Sequence, residues 1–255
     1  MDWSARDYLR FEDERTRPAR DLLAAVSDAD VRTAVDLGCG PGNSTELLVR
    51  RFPDASVEGV DSSPAMIEAA RARLPDASFS LADIAAWEGE GSYDLIFANA
   101  SLQWVPDHEE LLPRLVSRLR EGGTLAVQLP DNLGEPNHTA MAEAAKNGPW
   151  GDKLSEAEAA RTRIHAPRHY WDLLSPLCRR VDVWLTVYHH PLAGVDALVD
   201  WLRATGLRPY LADLDEAERA LFLARYRTMV AQSYPLAADG RLLLPFPRLF
   251  IVATR

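Results

Sequence analysis

The chain has 255 residues, 47% of them hydrophobic and 26% charged, a composition ordinary for a globular protein of one domain, or one domain with a substantial insertion. A net charge of −10 argues against a nucleic-acid partner, no apolar run approaches the roughly 20 residues of a membrane helix, and the charged opening "MDWSARDYLRFEDERTRPARDLL" is unlike a secretory signal. Two cysteines, Cys39 and Cys178, cannot build a disulfide framework, which points to a reducing, cytoplasmic setting.

Residues 1–30 are predicted to be helical. "WSARDYLRF" is amphipathic, so Trp3, Tyr8 and Phe11 either pack as an ordinary helix face or close over a ligand as a lid. Strands are predicted at 33–38 (TAVDLG), 56–61 (SVEGVD), 78–83 (SFSLAD), 93–99 (YDLIFAN) and 123–129 (GTLAVQL), each short and bounded by Gly, Pro, Asp or Asn. Between them, 44–52, 64–74 and 108–120 carry apolar residues at helical spacing, with Ser62 or Ser63 as cap ahead of Pro64. Such alternation predicts an α/β fold with a doubly wound, mostly parallel sheet covered by helices on both faces. After Pro130 the rhythm breaks, and 131–178 reads as loops and short helices inserted after strand 5. A strand follows at 181–189, then helices near 194–205 and 215–230, then a last strand near 248–254. The "PFP" of 245–247 is expected to lie outside any central strand, because proline lacks the N–H that a ladder needs.

Three consecutive strand ends carry chemistry. Gly38, Gly40 and Gly42 follow the first strand and let a ligand approach the backbone closely. A dinucleotide fingerprint is spaced G-x-G-x-x-G, whereas here the spacing is G-x-G-x-G, with Asn43 in the final place and Pro41 stiffening the turn. That departure favours a ligand without phosphates and argues against a nicotinamide dehydrogenase. Asp61 closes the second strand, where doubly wound folds place an acid on the two ribose hydroxyls. Asp83 closes the third, where an acid can accept from an adenine amine. Taken singly, each aspartate also reads as a strand-end cap.

"VDLGCGPGNST", "VEGVDSSPAMIEAA", "LADIAAW", "YDLIFANASLQWVPD" and "LREGGTLAVQLP" occur in order over about residues 30–130 and resemble the successive motifs of class I S-adenosylmethionine-dependent methyltransferases. The resemblance implies one methyltransferase domain over 1–255, with a seven-stranded Rossmann-like sheet whose last strand is reversed. It also implies S-adenosylmethionine as cofactor, its methionine portion cradled by the turn of Gly38, Cys39, Gly40 and Asn43. Asp36 would help place the amino group, and Cys39 would be a small packing residue rather than a nucleophile. Asp61 with Ser62 would meet the ribose, Met66 the adenine face, and Asp83 with Ile84 the adenine amine. Asn99, Ala100 and Ser101 would face the sulfonium and, with Trp104, align the transfer; Trp104 also reads as core.

Two features bear on the acceptor. The Asn/Asp-Pro-Pro-aromatic motif of amino-group methyltransferases is absent, since "ASLQW" follows Asn99, and no Asp/Glu/His cluster at metal-ligand spacing stands out, so no metal is expected. The opening segment, "FANASLQWVPDHEELL" and "HAPRHYWDLL" further resemble the branch of the family that esterifies small polycarboxylic acids of the trans-aconitate type. That implies a small anionic substrate and no general base, because a carboxylate is already ionised at neutral pH. The spare carboxylates need cationic donors. Residues 1–150 carry 14 basic and 26 acidic side chains and residues 151–255 carry 14 and 12, which gives the later segment that task. Candidate donors are Arg163, His165, Arg168, His169, Arg203 and Arg248, with Arg15 and Arg17 from the lid. Tyr170, Trp171 and Tyr210 would add hydroxyl or shape contacts, and Gln103 with Trp104 would flank the methyl group. "HAPRHYW" is the favoured stretch, since it lies in the inserted region 131–178 where substrate covers sit. Other small acceptors, a fatty acid or a hydroxyl, stay open, as do a cofactor-binding protein without chemistry and the choice between monomer and dimer.

Overall fold

The computed structural model describes residues 12–27, 30–89, 91–150, 153–155, 157, 164–203 and 205–255. Strand β1 (Thr33–Leu37) lies between β2 (Ser56–Asp61) and β4 (Tyr93–Asn99), parallel to both. Strand β3 (Ser78–Leu81) continues the sheet beyond β2, and β5 (Leu119–Pro130) beyond β4, again in parallel. With β6 (Arg180–Leu192) and β7 (Leu242–Thr254) the sheet has seven strands in the order β3-β2-β1-β4-β5-β7-β6. Successive strands step outward in one direction from β1 to β3 and in the other from β4. The carboxyl ends of β1 and β4 therefore flank a topological switch point, where ligands of open α/β sheets bind.

Helices α1 (Glu12–Ala25), α2 (Asn43–Arg51), α3 (Pro64–Arg73) and α4 (His108–Ser117) alternate with these strands. Helix α3 starts as its sequence dictates: Pro64 takes the first helical position and the Ser63 hydroxyl accepts the Met66 N–H at 3.4 Å. Helix α4 buries Leu111, Leu112, Leu115 and Val116 on one face, against β5 strand residues such as Leu125 and Val127 that are wholly enclosed. A smaller cluster of Cys39, Ile67, Ala70 and Phe79 packs α3 on the β2–β3 side.

Strand β7 is reversed. Gly122 N–H donates to the Arg255 carbonyl and Arg255 N–H to Gly123, both at 2.9 Å, while at the far end Asp131 N–H donates to Pro247 at 2.9 Å. The expectation that "PFP" would fall outside a central strand does not hold, because β7 runs through Pro245 and Pro247 between β5 and β6. Backbone groups of residues two apart point to the same side of a strand. Both missing donors therefore lie on the side where Pro247 accepts from Asp131, one residue past the end of β5, where that ladder has run out.

The chain forms two compact units. The first holds the described residues up to Pro130 with Ile164–Thr186 and Leu249–Arg255, and it contains β1–β5, α1–α4 and α6 (Pro167–Leu174). The second holds the described residues from Asp131 to 163 with Val187–Arg248, and it contains α5 (Pro136–Lys146), α7 (Val195–Arg203), α8 (Arg208–Ala212) and α9 (Glu216–Ser233). It has its own core: Tyr226 Oη donates to the Asn137 carbonyl at 3.0 Å, Tyr234 Oη donates to Asn137 Oδ1 at 2.9 Å, and Trp150 meets Phe222 edge-on. The predicted insertion, 131–178, is thus divided: its first part belongs to the second unit, and from Ile164 it belongs to the first.

Candidate active site

The turn after β1 is held from below. Gly38 and Cys39 N–H groups both donate to the Val60 carbonyl, at 2.7 and 3.0 Å, which ties the turn to the end of β2. Gly38 has φ +76°, and a Cβ there would fall 2.2 Å from Ser101 Cβ, so only glycine lets the β1 and β4 ends approach this closely. Gly40, at φ +54°, has none of the described residues within 4 Å of such a position. Asp36 lies beneath, fully buried, with Oδ2 accepting from Ser44 Oγ at 2.6 Å and Thr45 Oγ1 at 2.7 Å at the start of α2. Burial pushes its carboxyl up to about 6, against the pull of those two hydroxyls. Cys39 is buried against Phe79 and Ile67, and burial raises its thiol well above the ordinary value, which makes it inert.

Asp61, at the tip of β2, is oriented by two backbone bonds: Oδ2 accepts the Gly40 N–H and Oδ1 the Ser63 N–H, each at 2.9 Å. Each oxygen keeps a further lone pair for a hydroxyl donor. Asp83 lies two residues past the end of β3, and its Oδ1 accepts the Ala85 N–H at 2.9 Å. Arg114, which the sequence reading did not single out, donates to the carbonyls of Ile84 and Ala85 at 3.2 and 2.7 Å and so fixes this turn from α4.

At the tip of β4 the chain makes a corner. Ala100 adopts φ +53°, a left-handed conformation that costs a non-glycine residue on the order of 1 kcal/mol. Three bonds hold it: Ala100 N–H to Gln128 O at 2.9 Å, Gln103 Nε2 to Ala100 O at 2.7 Å, and Ser101 Oγ to Leu37 O at 2.7 Å. Among the described residues, the buried Oδ1 of Asn99 has no hydrogen-bond partner. His108, also outside the sequence reading, steadies the following turn by donating Nε2–H to Leu102 O at 2.9 Å. That fixes its Nδ1 as the acceptor of the Tyr170 hydroxyl at 2.8 Å, in keeping with burial, which lowers its proton affinity.

These strand tips enclose one cleft. Gly38, Gly40, Asp61, Ser62 and Met66 line one side, Asp83 and Ile84 the next, and Asn99, Ala100, Ser101, Trp104 and Val105 the other. Val105 is the lining residue that the sequence reading missed. A small cavity against α1, lined by Thr16, Ala19, Cys39, Asn43 and Ser44, shares Gly38 and Asn99 with it. Asp36 lines neither. The donor set fits S-adenosylmethionine: a carboxylate with free lone pairs for a ribose diol, an acid beside an apolar Ile84 and Met66 wall for adenine, and an unpartnered Asn99 oxygen for an ammonium group.

Comparison with known proteins agrees with this layout. A methyltransferase domain family matches residues 34–123. A trans-aconitate 2-methyltransferase of Yersinia pestis (strain Pestoides F) is 55% identical over 253 residues, 99% of this chain and 98% of that protein. The chain belongs to the trans-aconitate 2-methyltransferase family. Solved structures share its fold at lower identity. The YcgJ protein of Bacillus subtilis matches with TM-score 0.61 at 12% identity, covering 94% of this chain and 98% of the other. Haemonchus contortus phosphoethanolamine N-methyltransferase 2 in complex with S-adenosyl-L-methionine matches with TM-score 0.54 at 15% identity, covering 93% and 52%.

Of the substrate residues expected for a member of this family, Trp104 lines the cleft. Gln103 is buried behind it and supports the Ala100 corner. Tyr170 is fully enclosed and serves the core through His108. Arg168 is exposed and ion-paired with Asp172 at 2.7 Å; with Trp171 it lines a shallow depression that shares no residue with the cleft. His165 and His169 both turn to Glu109. In the second unit, Arg203 is half-exposed near Asp200, Tyr210 is buried and stacked on Phe222, and Arg248 is buried with its guanidinium over Phe246 at 4.6 Å. Arg163, Trp3, Tyr8 and Phe11 lie outside the described residues, while Arg15 and Arg17 belong to α1. Among the described residues no helix is long and apolar enough to cross a membrane.

Proposed function

We propose that the chain transfers the methyl group of S-adenosylmethionine to one carboxylate of trans-aconitate, giving the monomethyl ester. The reading is carried by the 55% identity that spans 99% of the chain with a protein of that name. The cleft is compatible with it. Bound there, the cofactor supplies a methyl carbon activated by a positive sulfur. Asp61 fixes the ribose and Asn99 the amino group, while Ser101 and Gln103 hold the Ala100 corner that sets the direction of approach. Trp104 and Val105 wall the acceptor end against water. Among the described cleft residues the ionisable ones are Asp61 and Asp83, both assigned to the cofactor. An acceptor that arrives ionised needs no base, so alignment is the work left to the protein.

The remaining carboxylates of the acid call for guanidinium partners. A net charge of −10 and two free thiols support a cytoplasmic enzyme without a nucleic-acid partner. The test is methyl transfer from labelled cofactor to a panel of trans-aconitate, a fatty acid and a neutral alcohol. Label in a base-labile ester of trans-aconitate supports the reading, and label in the alcohol or fatty acid alone rejects it.

A further inference from the structure

Three side chains that do not line the cleft converge where α4 meets the segment entering α6. Glu109 stands in the first turn of α4, His165 lies two residues before α6, and His169 lies in its first turn. Nε2 of His165 is 3.3 Å, and Nε2 of His169 is 3.1 Å, from the same Oε1 of Glu109. One ligand atom from each residue lies within 4.8 Å of the other two, and the imidazoles stack with centroids 4.1 Å apart. We propose that Glu109, His165 and His169 form a binding site for one divalent transition-metal ion of the zinc type.

Bond lengths support the assignment. A tetrahedral ion with ligands at about 2.0–2.1 Å has ligand-to-ligand edges of about 3.3 Å. Two of the three edges here already have that length. Two imidazoles and one carboxylate select zinc, nickel or copper over magnesium or calcium. The elements that carry them are fixed. Tyr170, next to His169, is wholly buried, and its hydroxyl both bonds His108 and accepts the His165 N–H at 3.3 Å, so one buried group positions both histidine-bearing turns. The side chains are partly open to water, while His169 Nε2 itself is buried against Glu109.

The experiment uses the full chain, stripped with EDTA and desalted. Zinc is titrated by calorimetry, cobalt by its visible absorption, and melting is followed with and without zinc. The proposal predicts one ion per chain, an absorption pattern of low-coordinate cobalt, and a zinc-dependent rise in melting temperature. E109Q, H165A and H169A, checked for an intact fold by their metal-free melting, each lower affinity at least about tenfold and lose the zinc-dependent rise. No saturable uptake of zinc, cobalt or nickel by the wild-type chain, or undiminished uptake by the H165A/H169A double variant, overturns it.

Discussion

Gly38 and Ser101 face each other so closely that a single methyl group on Gly38 would come 2.2 Å from the Ser101 Cβ. This contact joins the end of β1 to the corner after β4. Gly38→Ala is therefore expected to destabilise the fold by about 2–4 kcal/mol, from the positive φ and the collision together. Gly40→Ala meets none of the described residues within 4 Å and carries the conformational cost, about 1–2 kcal/mol. Urea unfolding of both variants measures the difference, and equal losses would show that steric closure at Gly38 is not the constraint.

Asp61 is oriented by Gly40 and Ser63 and presents its remaining lone pairs to the cleft. Asp61→Asn keeps the shape and removes the charge. Loss of charge-assisted bonds to a ribose diol, at about 1.5–3 kcal/mol, corresponds to roughly ten- to hundredfold weaker binding of S-adenosylhomocysteine. Calorimetry gives the number, and an unchanged affinity would remove Asp61 from the cofactor site.

Asp36 gives a pH dependence with a definite sign. Burial raises its carboxyl from the ordinary 3.8 to about 6, so the folded chain holds a proton that the unfolded chain releases between those values. Stability from this group is fully present below about pH 4 and is lost as pH rises through about 6. Asp36→Asn removes the penalty, so the variant should gain on the wild type by on the order of 3 kcal/mol above pH 7 and converge with it near pH 4. Unfolding midpoints across that range test it, and a gap that widens toward acid contradicts it. If Asp36 also places the cofactor amino group, the same variant binds S-adenosylhomocysteine less tightly.

Arg168 tests whether the acid substrate is held outside the cleft. Arg168 is exposed and engaged with Asp172, outside the cleft lining, so Arg168→Ala should leave the KM for trans-aconitate unchanged. Steady-state kinetics on the variant decides, and a raised KM would return Arg168 to the substrate site.

How far the sequence led depends on range. Gly38, Asp61, Asp83 and Asn99 end or follow strands of a regular βα alternation, and a parallel sheet brings such ends together wherever the order reverses. Their grouping was therefore readable from spacing. The roles of Arg114 and His108 were not, because each acts on a turn formed by other parts of the chain: Arg114 reaches back to the Ile84–Ala85 carbonyls, and His108 joins Leu102 to Tyr170. "HAPRHYW" misled for a related reason. Its composition suits an anion, but the first helical turn of α6 turns Tyr170 into the core, His169 toward Glu109 and Arg168 toward Asp172. Likewise Glu109 and His165 are far apart in sequence and meet only through packing of α4 against α6.

The most direct measurement is a crystal structure of the chain with S-adenosylhomocysteine and trans-aconitate. The account predicts the ribose hydroxyls on Asp61, the adenine beside Met66 and Ile84, and the sulfur facing the Asn99–Ser101 corner with a carboxylate of the acid in line beyond it at Trp104. Cofactor bound elsewhere with these strand tips empty, or the acid seated away from the sulfur, would contradict it.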